Sequence, residues 1–264
     1  MKIENIKVYN FEGAFRGLRN PKDSWEKSDS SFGLLAVEDL KNEDVILDMD
    51  GDICSYAHIG PKDMDLAKRL IKAGPEHRKF MRQIMVSFDL TAPLYMWKEF
   101  DTYKVGTVAN SCSTMHTITN HPITLDCFEI GDFQNIEYPE EEQREDAKGY
   151  ADPMFIQEHL IPYLEYLRTK YIEAKDVVYW KELIRWLPES WLQKRTITMS
   201  YENIYNIIHQ REHHKLTEWH YFVDKLKQLP YMGDFLEDYK PATEDNSNKI
   251  KIMLDKIKAI LENN

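Results

Sequence analysis

The stretch from Phe80 to His116, FMRQIMVSFDLTAPLYMWKEFDTYKVGTVANSCSTMH, leaves the chain few options. Ile84 to Leu90 reads as a short strand. Ala92-Pro93 imposes a sharp entry, because proline fixes its own φ and keeps the preceding residue extended. An aromatic-rich helix follows to about Asp101. That helix delivers VGTVANSCSTM, a loop of small residues dense in hydroxyls and amides. A strand and a helix ending in such a loop make a platform for a ligand. Further along, Arg211 sits among histidines and aromatic residues. Together the two regions suggest an anionic ligand held between loop donors and a guanidinium.

The remaining chain divides by periodicity. Residues 3–11 alternate as a strand does. Gly17 to Gly33 is polar and turn-rich, a helical turn plus loop. Asp44 to Leu47 enters a short strand that turns at Asp50-Gly51. Asp63 to Ala73 spaces Leu66, Leu70 and Ile71 along one helical face and stops at Gly74. Residues 137–152 are acidic and carry no apolar period, as expected of an exposed excursion. Phe155 to Ala174 and Val177 to Leu187 read as helices, the second stopped by Pro188. Arg195 to Ser200 is strand-like. Glu202 to Leu229 reads as one long helix ended by Pro230, and residues 247–261 as an amphipathic terminal helix. There is no repeat, low-complexity tract or interdomain linker, so a single domain over residues 1–264 is expected.

Composition narrows the function classes. At 42% hydrophobic and 30% charged, 264 residues suffice for one large core. A mean hydropathy of -0.58 and the lack of a long apolar run argue against a transmembrane helix. The first residues, MKIENIKVYNFEG, carry charges among their apolar positions and do not read as a signal peptide. Cys54, Cys112 and Cys127 form no even-numbered framework, which points to a reducing, cytoplasmic setting. A net charge of -11 argues against a broad nucleic-acid surface and leaves room for one positive pocket. The aromatic content of 12% supplies rings on which a flat ligand can stack.

Three local patterns bear on chemistry. Val45 to Asp52, VILDMDGD, resembles the hydrophobic strand and Asp-x-Asp-Gly of the haloacid-dehalogenase phosphatases, with Asp48 as nucleophile and Asp50 as acid/base. The later acidic pair and lysine of that family are not found, and a strand ending in an Asp-Gly turn explains the residues equally. His209 and His213 stand at i,i+4, a spacing that can chelate zinc, but no HExxH is formed and no CxxC accompanies it. Helix-surface histidines are the plainer reading, and no metal is expected. Cys112 as a nucleophile lacks any pattern tying it to a histidine base, and a loop cysteine is the default.

In order and spacing, residues 60–240 resemble the flavin-dependent thymidylate synthases. Phe88, Ala92 and Pro93 match that family's strand and Ala-Pro entry. Leu70 to Gly74 followed by Glu76 matches the helix before it. Arg185-Trp186-Leu187-Pro188 is similar to its Ala-Arg-x-x-Leu-Pro with one residue fewer. TMSYENIYNIIHQREHHKLTEW follows its last block, with Arg211 on the Leu-Arg arginine, and Leu229-Pro230 and Phe235-Leu236 suit its closing segment.

The resemblance implies an α/β (α+β) fold, a central antiparallel sheet flanked by long helices, assembled as a homotetramer with active sites at subunit interfaces. It implies reductive methylation of dUMP, or a related pyrimidine nucleotide, at C5. FAD would be the hydride source, methylenetetrahydrofolate the carbon donor and NADPH the electron supply. Arg211 would be the catalytic group, stabilising negative charge that develops on the pyrimidine. Substrate would be held by Glu99, Thr102, Asn110, Ser111, Cys112, Ser113, Thr114, Lys194 and Arg211, with loop amides from Ser111 to Thr114 on the phosphate. Flavin would be held by Tyr103, Lys104, Thr107, Asn206 and Lys215. Thr102-Tyr103-Lys104 stands where the family has Arg-His-Arg, Cys112-Ser113-Thr114 where it has Ser-x-Arg, and Glu99 where it has the base-reading Gln. A homologue that binds nucleotide or flavin without catalysis is the alternative these changes imply, and the phosphatase reading on Asp48 and Asp50 is a third.

Overall fold

The computed structural model describes residues 1–130 and 155–236. The acidic segment at 137–152 and the expected terminal helix at 247–261 lie outside the described residues. The chain forms two compact units. One is built from Met1–Ile6 and the segment beginning at Ser87 and ending at Thr198, the other from Lys7–Val86 and the chain from Met199 onward. Strands β1 (Lys2–Tyr9), β5 (Met85–Pro93), β6 (Val108–Ser111) and β7 (Leu192–Ser200) form a four-stranded sheet in the order β1-β5-β7-β6. Strands β2 (Ser31–Ala36), β3 (Val45–Asp50) and β4 (Ile53–His58) form a second, three-stranded sheet in the order β2-β4-β3. β4 is antiparallel to both its neighbours, and β6 is antiparallel to β7. The architecture is mixed α/β with antiparallel sheets, as expected.

Alternation explains β5. Val86, Phe88, Leu90 and Ala92 are buried, while Ser87, Asp89 and Thr91 face outward. Pro93, extended at φ -69 and ψ 155, ends the strand and stands at the cap of helix α3 (Leu94–Phe100). Two amides at the start of α3 are satisfied from one segment: Leu94 donates to Trp191 O at 3.1 Å and Tyr95 to Glu189 O at 3.3 Å. The rest of that unit packs on a cluster of Ile118, Ile123, Phe128, Leu164, Leu167 and Leu183. These come from the segment after the short helix α4 (Thr114–Thr117), from α5 (Ile161–Ala174) and from α6 (Val177–Arg185). A π-helical turn, Ile156–Leu160, precedes α5, so the expected helix from Phe155 to Ala174 is present.

The other unit has an aromatic centre. Phe11 and Phe15 lie on helix α1 (Phe11–Arg19), which replaces the end of the expected strand over 3–11. Phe11 meets Tyr201 and Tyr231 edge-on at 5.5 and 5.7 Å, and Phe80 meets Phe15 and Phe235 at 5.8 and 6.0 Å. Helix α2 (Pro61–Lys72) is capped from a distance: Asp29 accepts from the amides of Lys62 and Asp63 at 2.9 and 3.1 Å. Gly60 is required there, since a Cβ would lie 2.4 Å from Asp29 O.

One helix differs from expectation. The segment read as a single helix from Glu202 to Leu229 is two, α7 (Tyr201–Arg211) and α8 (Thr217–Lys227), followed by a short α9 (Met232–Phe235). The break centres on His214. Its Nδ1 accepts the Leu216 amide at 3.2 Å, and His214 O accepts from His220 Nε2 at 2.6 Å. These bonds satisfy the corner without the helical ladder. Among the described residues no helix is long and apolar enough to cross a membrane.

Candidate functional site

The loop after α3 is built as the sequence suggests. Thr102 Oγ1 donates to Glu99 O at 2.7 Å and closes the last turn of α3. Tyr103 packs edge-on against Phe100, centroids 6.3 Å apart. Thr107 N donates to Lys104 O at 3.2 Å across a turn with Gly106 at φ 70, the positive φ that a type II turn needs at its third position. Lys104 is exposed and makes no ion pair among the described residues. The chain then enters β6 at the edge of the sheet. Asn110 pairs with Thr196 and Ser111 with Arg195, and both β6 side chains are exposed.

Not every loop amide is available. Cys112 N donates to Lys194 O at 2.8 Å, so that amide belongs to the ladder and not to an anion. Cys112 Sγ lies 3.8 Å from Thr117 Oγ1, and Thr117 Oγ1 donates to Ser113 O at 2.9 Å. Gln193 Nε2 donates to Cys112 O at 3.3 Å and reaches Thr114 Oγ1 at 3.5 Å. Ser113 and Thr114 open α4, a helix of one turn.

Strand alternation separates Lys194 from Arg195. Lys194 Nζ pairs with Asp89 Oδ2 at 2.9 Å. Thr196 Oγ1 and Asn5 Nδ2 donate to the same carboxylate at 2.6 and 2.9 Å. These bonds hold Asp89 down at about 2, Thr196 contributing most, then Lys194 and Asn5. Arg195, on the opposite face, lies 4.2 Å over the Trp97 ring. It donates from Nη1 to Asp101 Oδ1 at 2.8 Å and from Nε to Gln193 Oε1 at 3.0 Å. Its planar, permanently charged fork is thus fixed beside the end of α3. The family resemblance put the later basic position at Lys194, with Arg195 adjacent; only the strand register tells which face each takes.

The second unit carries Asn206 and Arg211 on α7 and Lys215 at the corner after it. Asn206 Oδ1 accepts from Arg78 Nη2 at 3.0 Å. Arg78 also binds both oxygens of the buried Glu202 through Nε, at 3.0 and 3.1 Å, and lies 4.6 Å over the Tyr205 ring. Sequence reading missed Arg78, which sits between Glu76 of the family resemblance and the stretch beginning at Phe80 and belongs to neither. Arg211 lies 4.6 Å over the ring of Trp219, which is fully buried. Lys215 is exposed and makes no ion pair among the described residues.

The remaining patterns resolve simply. Asp48 and Asp50 stand on β3, the edge of the antiparallel three-stranded sheet. Asp48 pairs with Lys7 at 3.0 Å, and Gly51 at φ 59 makes the tight turn into β4. An ion-paired edge strand closed by an Asp-Gly hairpin accounts for the motif, and the phosphatase reading is set aside. His213 is almost fully exposed and His209 bonds its own helix at Tyr205 O, 2.8 Å. Among the described residues no group of three histidine, cysteine or acidic side chains has metal-holding geometry.

No family model matches this chain, and no curated protein does. Solved structures do match it. Flavin-dependent thymidylate synthase ThyX from Helicobacter pylori, complexed with FAD and dUMP, superposes with a TM-score of 0.57 at 15% identity, over 91% of this chain and 100% of that one. A second structure of ThyX from Helicobacter pylori with FAD and dUMP gives 0.56 at 15% identity, over 90% and 98%. The chain has the fold of flavin-dependent thymidylate synthase.

Proposed function

We propose that this protein binds a pyrimidine nucleotide and FAD and methylates the pyrimidine at C5, with dUMP as the substrate and methylenetetrahydrofolate as the carbon donor. The observation that supports the reading is the likeness of fold, which spans nine-tenths of this chain and the whole length of a neighbour holding both ligands. The donor set fits an anionic cofactor. Lys104 and Lys215 are exposed ammonium groups without ion pairs among the described residues, and the Asn206 amide keeps Nδ2 uncommitted there.

When bound, FAD supplies the hydride. The residues of the chain bind and orient. Arg195, held by Asp101 and Trp97, takes the nucleotide phosphate together with the hydroxyls of Ser111, Ser113 and Thr114. Glu99 accepts from the base, which favours a ring bearing a donor at that edge. Arg211 stabilises negative charge on the pyrimidine, and no protein nucleophile is needed. Tyr103, Lys104, Thr107, Asn206 and Lys215 hold the flavin. With Thr102-Tyr103-Lys104 in place of Arg-His-Arg, a nucleotide- and flavin-binding protein without turnover is the second reading.

Flavin absorbance in the purified protein, followed by tritium release from 5-tritiated dUMP, tests both. Yellow protein with tritium release is expected. Yellow protein without release gives the second reading, and a colourless protein that takes up no added FAD overturns both.

A further inference from the structure

Helix α1, the turn around Trp25 and strand β2 line a half-open pocket of about 180 Å³ within a single unit of the chain. Its apolar walls are Phe15, Trp25 and Phe32. Phe15 is buried and lies 6.2 Å from Phe32, centroid to centroid. Trp25 is half exposed, and its indole N–H donates to Asn20 Oδ1 at 2.8 Å, which fixes the ring at the rim. An apolar cavity of about 150 Å³ accommodates benzene, so one six-membered ring fits this volume.

The polar groups say what that ring must carry. Arg19, only 6% exposed, lines the cavity. Its Nε donates to the fully buried Asp63 at 2.5 Å and its Nη1 to Ser24 O at 3.3 Å. Nη2 has no acceptor among the described residues and is not sealed from solvent. Arg16, one turn earlier on α1, also lines the cavity and makes no hydrogen bond or ion pair among the described residues. Ser28 and Ser30 donate their hydroxyl protons to Asp63 Oδ2 at 2.5 and 2.6 Å. With those protons committed, and with Ser28 Oγ already accepting the Ser30 amide at 3.5 Å and Ser30 Oγ the Gly60 amide at 3.1 Å, each serine keeps one accepting lone pair. Glu12 completes the rim. Arg19 is committed to Asp63, so among the described residues Arg16 is the cation of this lining left for an anion, which suits a single carboxylate better than a dianion.

We propose that this cavity binds a small aromatic carboxylate bearing a ring hydroxyl. The ring lies among Phe15, Trp25 and Phe32, the carboxylate pairs with Arg16, and the hydroxyl donates to a serine oxygen. Nothing in this inference depends on the nucleotide site.

The probe is 4-hydroxybenzoate, titrated calorimetrically into the full chain. Saturable binding is expected. Arg16→Gln should weaken it by about tenfold or more, the loss of one charge-assisted bond. 4-Hydroxybenzyl alcohol, which lacks the carboxylate, should bind wild-type protein correspondingly weakly, and inorganic phosphate should not compete. Arg16 is on an exposed helix surface, so an unchanged urea midpoint will show that the variant folds. Should the midpoint fall, Glu12→Gln carries the test, and tighter binding is expected from it. No saturation at millimolar probe, equal affinity in Arg16→Gln, displacement by phosphate, or unchanged affinity in Glu12→Gln would each overturn the proposal.

Discussion

Asp89 shows how one carboxylate can tie three strands together. Its bonds to Asn5 on β1 and to Lys194 and Thr196 on β7 favour the charged form, so its pKa in the folded protein is about 2. A depressed pKa stabilises the fold fully above the carboxylate's unfolded value, about 3.9, and that stability is lost as pH falls toward the folded value. Asp89→Asn should therefore lower the urea midpoint at neutral pH, and its deficit against wild type should shrink between about pH 4 and 2. A deficit constant across that window would mean the carboxylate is not held ionised. Arg211 has two roles to separate. Arg211→Ala removes a cation stacked on buried Trp219, a loss of about 1 kcal/mol in stability. If the guanidinium also stabilises developing charge, turnover should fall by about 100-fold or more. Tritium release at full wild-type rate from the less stable variant would make Arg211 structural only. Arg195 was half legible in the sequence: basic residues at 194 and 195 were visible, but their faces follow from the pairing of Ser111 with Arg195.

Among the elements, α2 depends on a distant residue. Its N-terminus is held by Asp29, and Asp63 in its first turn neutralises buried Arg19. Asp63→Ala leaves that guanidinium without a counter-charge and should cost about 3–5 kcal/mol, read as a shift of the urea midpoint. A loss under about 1 kcal/mol would show that water or a nearby acceptor replaces the carboxylate. The strand β5, helix α3 and loop were legible because proline placement and alternation are local signals. Helix α1 was hidden, although Phe11, Ala14, Phe15 and Leu18 have helical spacing, because Gly13 and Gly17 weaken the pattern. Each glycine has the end of a neighbouring side chain close to it. A Cβ on Gly13 would lie 2.2 Å from Asn10 Oδ1, and one on Gly17 would lie 2.6 Å from Gln83 Oε1. The break between α7 and α8 was hidden for a different reason. Ile208 and Trp219 are both buried, and the step between them is close to three helical turns, so the apolar phase continues across the corner. Only the His214 side chain reveals it.

At the scale of the molecule, apolar surface is left over. Tyr163, Tyr166 and Ile172 on α5 and Val177 and Val178 on α6 are exposed, with Trp186 just beyond. Such surface fits a subunit contact. We expect a homotetramer, with the loop from Lys104 to Thr114 of one subunit and the Arg211 helix of another completing each nucleotide site. Light scattering measures the mass, and mixing Lys104→Ala with Arg211→Ala subunits should restore part of the turnover that each variant lacks. A monomer, or mixtures as inactive as their components, would remove the shared site. The aromatic helices from Phe155 to Ala174 and Glu202 to Leu229 pointed to such a surplus in the sequence, but apolar residues at helical spacing read the same whether a core or a partner covers them.

The order in which the chain visits its two units also sets a schedule for synthesis. One unit begins at Lys7, is interrupted after Val86 and resumes only at Met199, where Tyr201, Tyr231 and Phe235 supply half of its aromatic centre. On the ribosome, Phe11, Phe15 and Phe80 therefore emerge well before the rings that cover them. At ordinary elongation rates the wait is on the order of ten seconds. During that interval the nascent chain lacks the rings that cover Phe11 and Phe80 in the folded protein, and such transiently exposed apolar surface is what chaperones bind in general.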